Sequence, residues 1–483
     1  MDYKKLGLRV GLEIHHELNT KEKLFCSCPT LLKTKQKPDF ILERFQRPVA
    51  GETGEIDVAA IEEMKKKVRI IYEVYDDCDC LIDTDEEPPH EPNEETIKTA
   101  LTIATLFNCK IVDEIHIMRK TIIDGSLPSG FQRTMLIGTN GWMDTSQGKV
   151  EIEAVSLEED SGRIIKKDKN SVTFRLDRLG IPEVEIGTGE IVSPEHAREV
   201  ALKIGNIIRS TGKAKIREGS VRQDVNISIK HGDRNEIKHV PSLSLIPVVV
   251  EKEIERQLSL IKNGKKVTRD VRRVLEDGSS EFLRPLPGSA RMYPETDVIP
   301  IKTSKLLKKI KKDLPETWDQ KIKRYRKLGL SNELAKQIVR SDYLDLFEKF
   351  IKKFKVNPSI IANIFVSTLK DLKKREDIPV EKLTDENFEV LFELLEKGKI
   401  VKELIPDILT YKVKHPEMPI SESIKKLGLE TISRKELENI VKKVVDKNRD
   451  KPVGKILGIV MSKVRGRVKS KDVVEMVKKK FSH

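Results

Sequence analysis

Charged side chains interrupt the apolar strand patterns of this sequence at three separate places in its N-terminal half. In LRVGLEIHHEL (residues 8–18), Glu13 and His15 alternate with Leu12 and Ile14, and successive side chains of a strand point to opposite faces. The same interruption recurs further along the chain at Glu158, Glu159 and Glu185. Charges are rarely placed in or beside a sheet unless they are paired, metal-bound or catalytic. The three interruptions therefore predict one shared site that holds a divalent cation and an anionic group.

Mg²⁺ or Mn²⁺ would suit these side chains, because hard cations take carboxylate oxygens and tolerate a histidine. The candidate catalytic and metal-binding residues are Glu13, His15, Glu158 and Glu185. If the ligand is a nucleotide, the cation would bridge its phosphates and offset developing negative charge. An ion-paired sheet surface would give the same pattern. Three arginines could then serve as partners: Arg9, Arg175 and Arg178.

A second polar strand face lies in SVRQDVNISI (residues 220–229), where Arg222 and Asp224 alternate with apolar residues, and Lys238 follows in EIKHV. Such a face suits phosphate and metal-bound water, although a solvated antiparallel sheet has the same pattern. Two loops rich in Gly, Ser and Pro carry further charges: Arg133, Arg284, Arg291 and Asp297. The sequence has no Walker A motif, so any ATP site would not be a P-loop.

Four of the five cysteines form two Cys-x-Cys pairs, Cys26 with Cys28 and Cys78 with Cys80, and Cys109 stands alone. Clustered thiols in a reducing compartment favour zinc over a disulfide, and Zn²⁺ can take four thiolates. The alternative is four reduced thiols, with Cys78 and Cys80 on one strand face. Cys109 is predicted to be a small core residue.

The order of strand and helix patterns predicts an α+β fold. A mixed-sheet domain is expected over residues 1–300, an all-α domain over 301–410 and a small α-helical tail domain over 411–483. Strands are predicted at 68–77, 150–157, 171–177, 183–188, 221–230 and 280–285. Helices are expected to begin at Asn93 and Ser193 and to end before Gly212 and Gly264. The prolines in TYKVKHPEMPISE (410–422) predict a hinge.

The positive charge is concentrated in the C-terminal part. Residues 301–483 carry 45 Lys and Arg against 27 Asp and Glu, whereas the first 300 residues carry 46 against 51. This distribution is expected of a nucleic-acid-contacting appendage on a near-neutral body, or of a lysine-rich solvated helical surface. No apolar run approaches the roughly 20 residues of a membrane span, and the N-terminus has no apolar signal segment. The sequence predicts a cytoplasmic protein without membrane contact.

Several long motifs occur in a recognisable order: GLEIHHELNTKEKLFCSCP, LEEDSGR, RLDRLGIPEVEIGTGEI, SVRQDVNISI, EIKHV and ARMYPETDV. They resemble the GatB/GatE family, the B and E subunits of tRNA-dependent amidotransferases. GEIDVAAIEE, DTDEEPPHEPN, GSLPSGFQRT and RPLPGSARMYPETD are similar to the archaeal E type rather than to the B type. The resemblance covers essentially the whole chain.

The resemblance implies a cradle domain with a kinase-like site, followed by a helical domain and a YqeY-like tail domain that hold the tRNA. With ATP and Mg²⁺ the cradle would phosphorylate the side-chain carboxylate of Glu mischarged on tRNA(Gln). Ammonia from an asparaginase-like D subunit (GatD), in a heterotetramer of two D and two E subunits, would then give Gln-tRNA(Gln). The family's metal ligands fall on His15, Glu158 and Glu185, with Glu13 beside them and Glu159 able to exchange with Glu158. Arg222, Asp224 and Lys238 would contact ATP or Mg²⁺.

Two alternatives stay open, a non-catalytic tRNA-binding scaffold and a B-type subunit that pairs with an amidase-like A subunit. One departure from the E type is also expected. E subunits usually carry an inserted synthetase-like domain before the RPLPG-type motif, but here GKKVTRDVRRVLEDGSSEFLRPLPG (264–288) is too short to contain one.

Overall fold

The structure is a computed structural model that describes residues 1–34, 36–45, 68–286, 292–375, 377–428, 431–449, 451–464, 467–468 and 470–481. Arg291 and the GEIDVAAIEE motif (54–63) lie outside the described residues. The chain divides into two compact units, Met1–Thr317 and Trp318–His483. The first unit contains the strands and the second consists of helices, so the predicted α+β class is confirmed. The domain boundaries at 300 and 410 stay predictions.

The first unit is built from seventeen described strands and four helices. The strands are β1 (Arg9–Glu17), β2 (Phe40–Phe45), β3 (Arg69–Val74), β4 (Lys110–Ile111), β5 (Glu114–Ile115), β6 (Ile117–Thr121), β7 (Phe131–Thr145), β8 (Gly148–Glu159), β9 (Arg163–Lys167), β10 (Ser171–Arg175), β11 (Pro182–Thr188), β12 (Val221–Ser228), β13 (Asn235–Lys238), β14 (Asp270–Val274), β15 (Ser280–Pro285), β16 (Met292–Pro294) and β17 (Ile301–Lys302). The helices are α1 (Glu94–Leu106), α2 (Pro194–Ser210), α3 (Leu245–Lys262) and α4 (Ser304–Ile310).

The large mixed sheet runs in the order β15-β14-β13-β12-β1-β11-β8-β7-β6-β16, with β4 paired to β7. Its named pairs are antiparallel except β13 with β14. A four-stranded sheet, β2-β3-β10-β9, packs Tyr72 and Phe174 into its own apolar cluster. A small sheet joins β5 to β17.

Apolar side chains on one face of the large sheet form its core with α2 and α3, which pack against β1 and β12. Leu12 and Ile14 are buried in this core, and burial of each contributes about 1.5–3 kcal/mol. Because side chains alternate along β1, Glu13 and His15 must lie on the opposite face. The helix that covers the apolar face begins as predicted: Ser193 Oγ accepts a hydrogen bond from His196 N, and Pro194 follows.

The second unit consists of short helices around two apolar clusters. The helices are α5 (Trp318–Lys327), α6 (Asn332–Val339), α7 (Leu344–Lys353), α8 (Pro358–Asn363), α9 (Leu369–Arg375), α10 (Asp385–Glu396), α11 (Ile405–Lys414), α12 (Ile420–Lys426), α13 (Arg434–Lys447), α14 (Val453–Lys463) and α15 (Ser470–Phe481). Phenylalanines such as Phe350 and Phe392 fill the larger cluster, and Val441 and Val460 belong to the smaller one. Among the described helices of the chain, none is long and apolar enough to cross a bilayer.

Candidate active site

The strand register brings the predicted charged side chains together on the face of the large sheet that α2 and α3 do not cover. His15 of β1 lies opposite Arg222 of β12 and Glu185 of β11, and Glu13 lies opposite Asp224. On the next strand pair, Glu183 of β11 lies opposite Glu158 of β8. Residues directly opposite in an antiparallel pair share a face. We call this surface the charged face.

The tightest group of possible cation ligands on the charged face is His15, Glu158 and Glu183. The Nδ1 atom of His15 is 3.7 Å from Glu183 Oε1 and 4.0 Å from Glu158 Oε2. Both His15 Nδ1 and Glu158 Oε2 are buried and lack a hydrogen-bond partner among the described residues. Buried polar atoms are seldom left without a partner. A bound cation would satisfy both atoms, so this group fits a divalent metal.

Glu183 is the member of this group that the sequence analysis missed. It lies two residues before Glu185 in PEVEI, and the two side chains share one strand face. The alternation of PEVEI could have suggested it. Glu185 lines the same face, and its Oε2 is 3.5 Å from Lys120 Nζ.

Burial and clustering change the acidity of this group. Burial alone would lower the pKa of His15, but the carboxylates of Glu183, Glu185 and Glu158 raise it to about 9. Burial raises the pKa of Glu158, partly offset by Lys120. Burial acts in the same direction on Glu183, but Arg222 outweighs it and lowers the pKa of that carboxyl. The site therefore balances buried carboxylates against a few buried cations.

Lys120 is a second residue that the sequence analysis missed. Its Nζ atom is 2.7 Å from Glu158 Oε1 and contacts Glu185 as well. The ion-paired alternative named other cations, and those are engaged elsewhere: Arg9 with Glu190, Arg175 with Glu73 and Arg178 with Asp160. The glutamates are thus ion-paired, but through a lysine on β6, which only the strand order could reveal.

The predicted trio Arg222, Asp224 and Lys238 lies on the charged face, where its members hold neighbouring carboxylates in place. Arg222 contacts Glu183 and donates to Asp160 Oδ1 at 2.8 Å. Lys238 Nζ donates to Asp224 Oδ2 at 2.8 Å and lies 2.6 Å from Glu236. Both oxygens of Asp224 are engaged, because His239 N donates to Oδ1 at 2.8 Å. Arg222 therefore orients a ligand residue, and Asp224 orients Lys238.

Glu159 does not join the group, because it follows Glu158 on the strand and points to the other face. Its Oε1 accepts a hydrogen bond from Arg133 N at 2.9 Å. Arg133 also pairs with Glu295 at 2.9 Å. The predicted exchange of Glu159 with Glu158 would require one strand to turn over, so it is wrong.

Two cavities open on the charged face. The larger one, about 450 Å³, has Gly11, Ala154 and Gly187 in its lining, and it carries two arginines against four glutamates. The smaller one, about 320 Å³, contains His15 and the cationic side chains of Lys120, Arg234, Lys238 and Arg284 against three glutamates. Both volumes lie in the range of ligand sites. The two cavities share Glu13, Glu185 and Arg234.

The cysteine cluster differs from the predicted four-cysteine site. Ligand atoms of Cys26, Cys28, Cys80 and Asp83 lie within 4.8 Å of one another, and Cys78 is not in this group. Cys78 is fully buried, and burial raises its pKa to about 12. The pKa of Cys80 falls to about 2 because the thiols of Cys26 and Cys28 donate to its sulfur. Three sulfurs and a carboxylate are a donor set that zinc accepts, so the residues fit this metal.

Comparison with known proteins identifies the class of this sheet and site. A model of the GatB/GatE catalytic domain matches residues 8–309, and a model described as a GatB domain matches residues 345–481. The chain belongs to the GatB/GatE family, whose members are amidotransferases and thus carbon–nitrogen ligases.

The relatives are all E subunits of one named enzyme, glutamyl-tRNA(Gln) amidotransferase. The relative from Methanocaldococcus jannaschii is 37% identical over 100% of this chain and 99% of that protein. Proteins of the same name are 35% identical in Saccharolobus solfataricus (100% and 99% covered) and 36% identical in Pyrobaculum islandicum (98% and 98%). The predicted resemblance to the E type is confirmed.

The alignments also bear on the expected missing insert. The alignment with the M. jannaschii protein spans 627 positions, whereas this chain has 483 residues, so 144 positions are gaps in this chain. That difference has the size of a whole domain. This chain is therefore a shortened member of the family, although its length alone does not locate the gap.

Proposed function

We propose that this chain is the amidating subunit of a glutamyl-tRNA(Gln) amidotransferase that uses ATP and Mg²⁺. It phosphorylates the side-chain carboxylate of glutamate on tRNA(Gln), and ammonia then converts the product to Gln-tRNA(Gln). The observation that carries this proposal is the group of His15, Glu158 and Glu183 beside a cavity rich in cations. A metal and several cations are what a triphosphate requires.

The chemistry balances in two steps. A carboxylate oxygen of the glutamyl group forms a bond to the γ-phosphorus while the bond from that phosphorus to the β,γ-bridging oxygen breaks. ADP leaves with the electron pair. Ammonia then attacks the carbonyl carbon of the acyl phosphate, inorganic phosphate leaves, and the nitrogen loses a proton. The first step is needed because an oxide ion is a poor leaving group, and exclusion of water protects the acyl phosphate.

Mg²⁺ would be held by His15, Glu158 and Glu183, with Glu13 and Glu185 next to them. When bound, it would supply charge neutralisation at the phosphates. Lys120, Lys238 and Arg284 line the same cavity and would bind phosphate oxygens directly. Arg284 is prepared for this role, because its Nη1 atom is buried without an acceptor among the described residues.

The remaining parts of the proposal concern the partners. The excess of basic residues in 301–483 supports tRNA binding by the helical unit. An asparaginase-like D subunit supplies ammonia in a cytoplasmic heterotetramer of two D and two E subunits. The short length of the chain favours a second candidate, a B-type subunit with an amidase-like A partner. Co-purification separates them, since each candidate requires a different partner.

The decisive experiment is co-expression with a D-type partner, followed by an assay of Glu-tRNA(Gln) conversion with ATP, Mg²⁺ and glutamine. We expect Gln-tRNA(Gln) and ADP to form together. Glu158→Gln should reduce conversion by at least 100-fold while tRNA affinity changes little, because the helical unit provides most of the charge. Glu195→Gln, on the exposed surface of α2, is the matched control. Conversion by Glu158→Gln at the wild-type rate would show that the site is elsewhere.

We also infer a structural zinc ion held by Cys26, Cys28, Cys80 and Asp83. Metal analysis of the purified protein should find about one zinc per chain. Cys28→Ser should lose the metal, whereas Cys78→Ser should retain it, because Cys78 lies outside the group. Equal loss in both variants would instead support the four-cysteine site.

A further inference from the structure

The starting point is the cation that belongs to both cavities of the charged face. Glu13, Glu185 and Arg234 line the larger and the smaller cavity alike. Arg234 lies between β12 and β13, immediately before β13 begins at Asn235. It is exposed, and it forms no ion pair or hydrogen bond with any residue that the structure describes.

The other cations of the smaller cavity do not share this property. Lys120 is held by Glu158 and Glu185, and Lys238 is held by Asp224 and Glu236. Arg284 lines only the smaller cavity. Arg9 lines only the larger one and pairs with Glu190 at 3.1 Å. Among the described residues, Arg234 is thus the cation common to both cavities and uncommitted to a carboxylate.

The two cavities also differ in charge, which assigns a substrate to each. The smaller one has more cationic than acidic side chains and contains His15, so it suits a triphosphate with its metal. The larger one has more glutamates than arginines, and a wall formed partly by Gly11 and Gly187. An aminoacyl-adenosine end carries an α-ammonium group, which those glutamates attract, and flat rings, which a wall without side chains admits.

We propose that Arg234 is a catalytic residue that contacts both substrates, the γ-phosphate in the smaller cavity and the glutamyl carboxylate in the larger one. The inference rests on the proposed function. Two anions must approach each other before the oxygen–phosphorus bond can form. A guanidinium group has five donors in a planar fork, so it can bind a phosphate oxygen and a carboxylate oxygen together.

An arginine in this position acts mainly in the transition state, when the negative charge of both substrates converges on the oxygens that surround the transferred phosphorus. Removal of such a donor typically lowers the rate by about 10²- to 10³-fold. Binding of ATP alone should change little, because Lys120, Lys238 and Arg284 remain in the smaller cavity. A residue that merely supports the fold would not separate the rate from the affinity in this way.

The test is single-turnover ADP formation by the full chain with its partner subunit, ATP, Mg²⁺ and Glu-tRNA(Gln), without an amide donor. Arg234→Ala should lower the rate by at least 100-fold, while the dissociation constant for ATP, measured by calorimetry, stays within about threefold of wild type. Arg234→Lys should recover only part of the rate, since an ammonium group lacks the planar fork. Arg198→Ala, an exposed position on α2 paired with Glu195, is the control.

The outcomes separate the two proposals. If the wild-type protein forms ADP and Arg234→Ala keeps a rate within threefold, the role of Arg234 is refuted and the proposed function stands. If Arg234→Ala loses only ATP affinity, with the rate at saturation unchanged, Arg234 is a binding contact and the catalytic role is refuted. If the wild-type protein forms no ADP in response to Glu-tRNA(Gln), both are refuted. Equal melting temperatures of the variants exclude unfolding as the cause.

Discussion

At the scale of single residues, the charged face shows what strand alternation can and cannot predict. Alternation placed Glu13 and His15 together and away from the core, as the buried Leu12 and Ile14 demonstrate. It could not choose between Glu183 and Glu185, because both share one strand face. The choice depends on the stagger of β11 against β8, where Glu183 lies opposite Glu158. Stagger is a tertiary property, so the local sequence does not contain it.

This distinction gives a prediction about metal affinity. Glu183→Gln should raise the Mg²⁺ concentration needed for half-maximal activity by about 10- to 100-fold, because it removes a charged ligand from the group with His15. Glu185→Gln should have a smaller effect, since that carboxylate lies beside the group. The measurement is a Mg²⁺ titration of Glu-tRNA(Gln) conversion, with Glu195→Gln as control. Equal effects of the two variants would contradict the assignment of Glu183.

At the scale of elements, the sequence was most informative where a cap or an apolar period has a local cause. The helices that begin after Asn93 and Ser193 are present, each with the predicted side-chain cap. The strand at β6 was not predicted, and with it Lys120 was missed, because a five-residue strand with mixed polarity gives little periodic signal. The cysteine group was half predicted, since folding brings Asp83 to Cys80 and leaves Cys78 aside.

The wall of the larger cavity yields a prediction about substrate selection. A Cβ atom built at Gly187 of β11 has no neighbour nearer than the carbonyl oxygen of Ala154, at 4.0 Å. Gly187→Val should therefore fold, and a branched residue is favoured in a strand. The side chain would occupy the cavity, so we expect the KM for Glu-tRNA(Gln) to rise about tenfold while the KM for ATP stays nearly constant.

Steady-state kinetics with each substrate varied in turn provide the measurement. Gly205→Ala in α2 is the matched control, because a Cβ there also has no close neighbour and the residue lies in a helix away from the cavities. A larger rise in the KM for ATP than for tRNA would reverse the assignment of substrates to cavities.

At the scale of the whole molecule, charge divides the chain between chemistry and tRNA binding. The sequence predicted this division from composition, because net charge needs no knowledge of folding. The structure adds detail inside the helical unit. Ile420 and Ile424 of α12 belong to the larger apolar cluster, whereas α13, α14 and α15 form the smaller one. A deletion that spares the larger cluster therefore begins after Gly428.

Removal of residues 431–483 should weaken tRNA binding. This segment carries 16 basic and 6 acidic residues, and every phosphate that is no longer neutralised reduces the dependence of affinity on salt by about one logarithmic unit. We expect the dissociation constant for tRNA to rise at least tenfold at about 100 mM salt and its salt slope to become shallower. Binding assays across a salt series test this. An unchanged slope would show that the tail does not bind phosphates.

Lys120 has a consequence for how the protein reaches its active state in the cell. Its ammonium group neutralises Glu158 and Glu185 without any metal, so the nascent chain does not have to acquire Mg²⁺ before the carboxylates become buried. Folding and metal loading can then proceed as separate events, and a drop in free Mg²⁺ would silence the enzyme without exposing it to proteolysis.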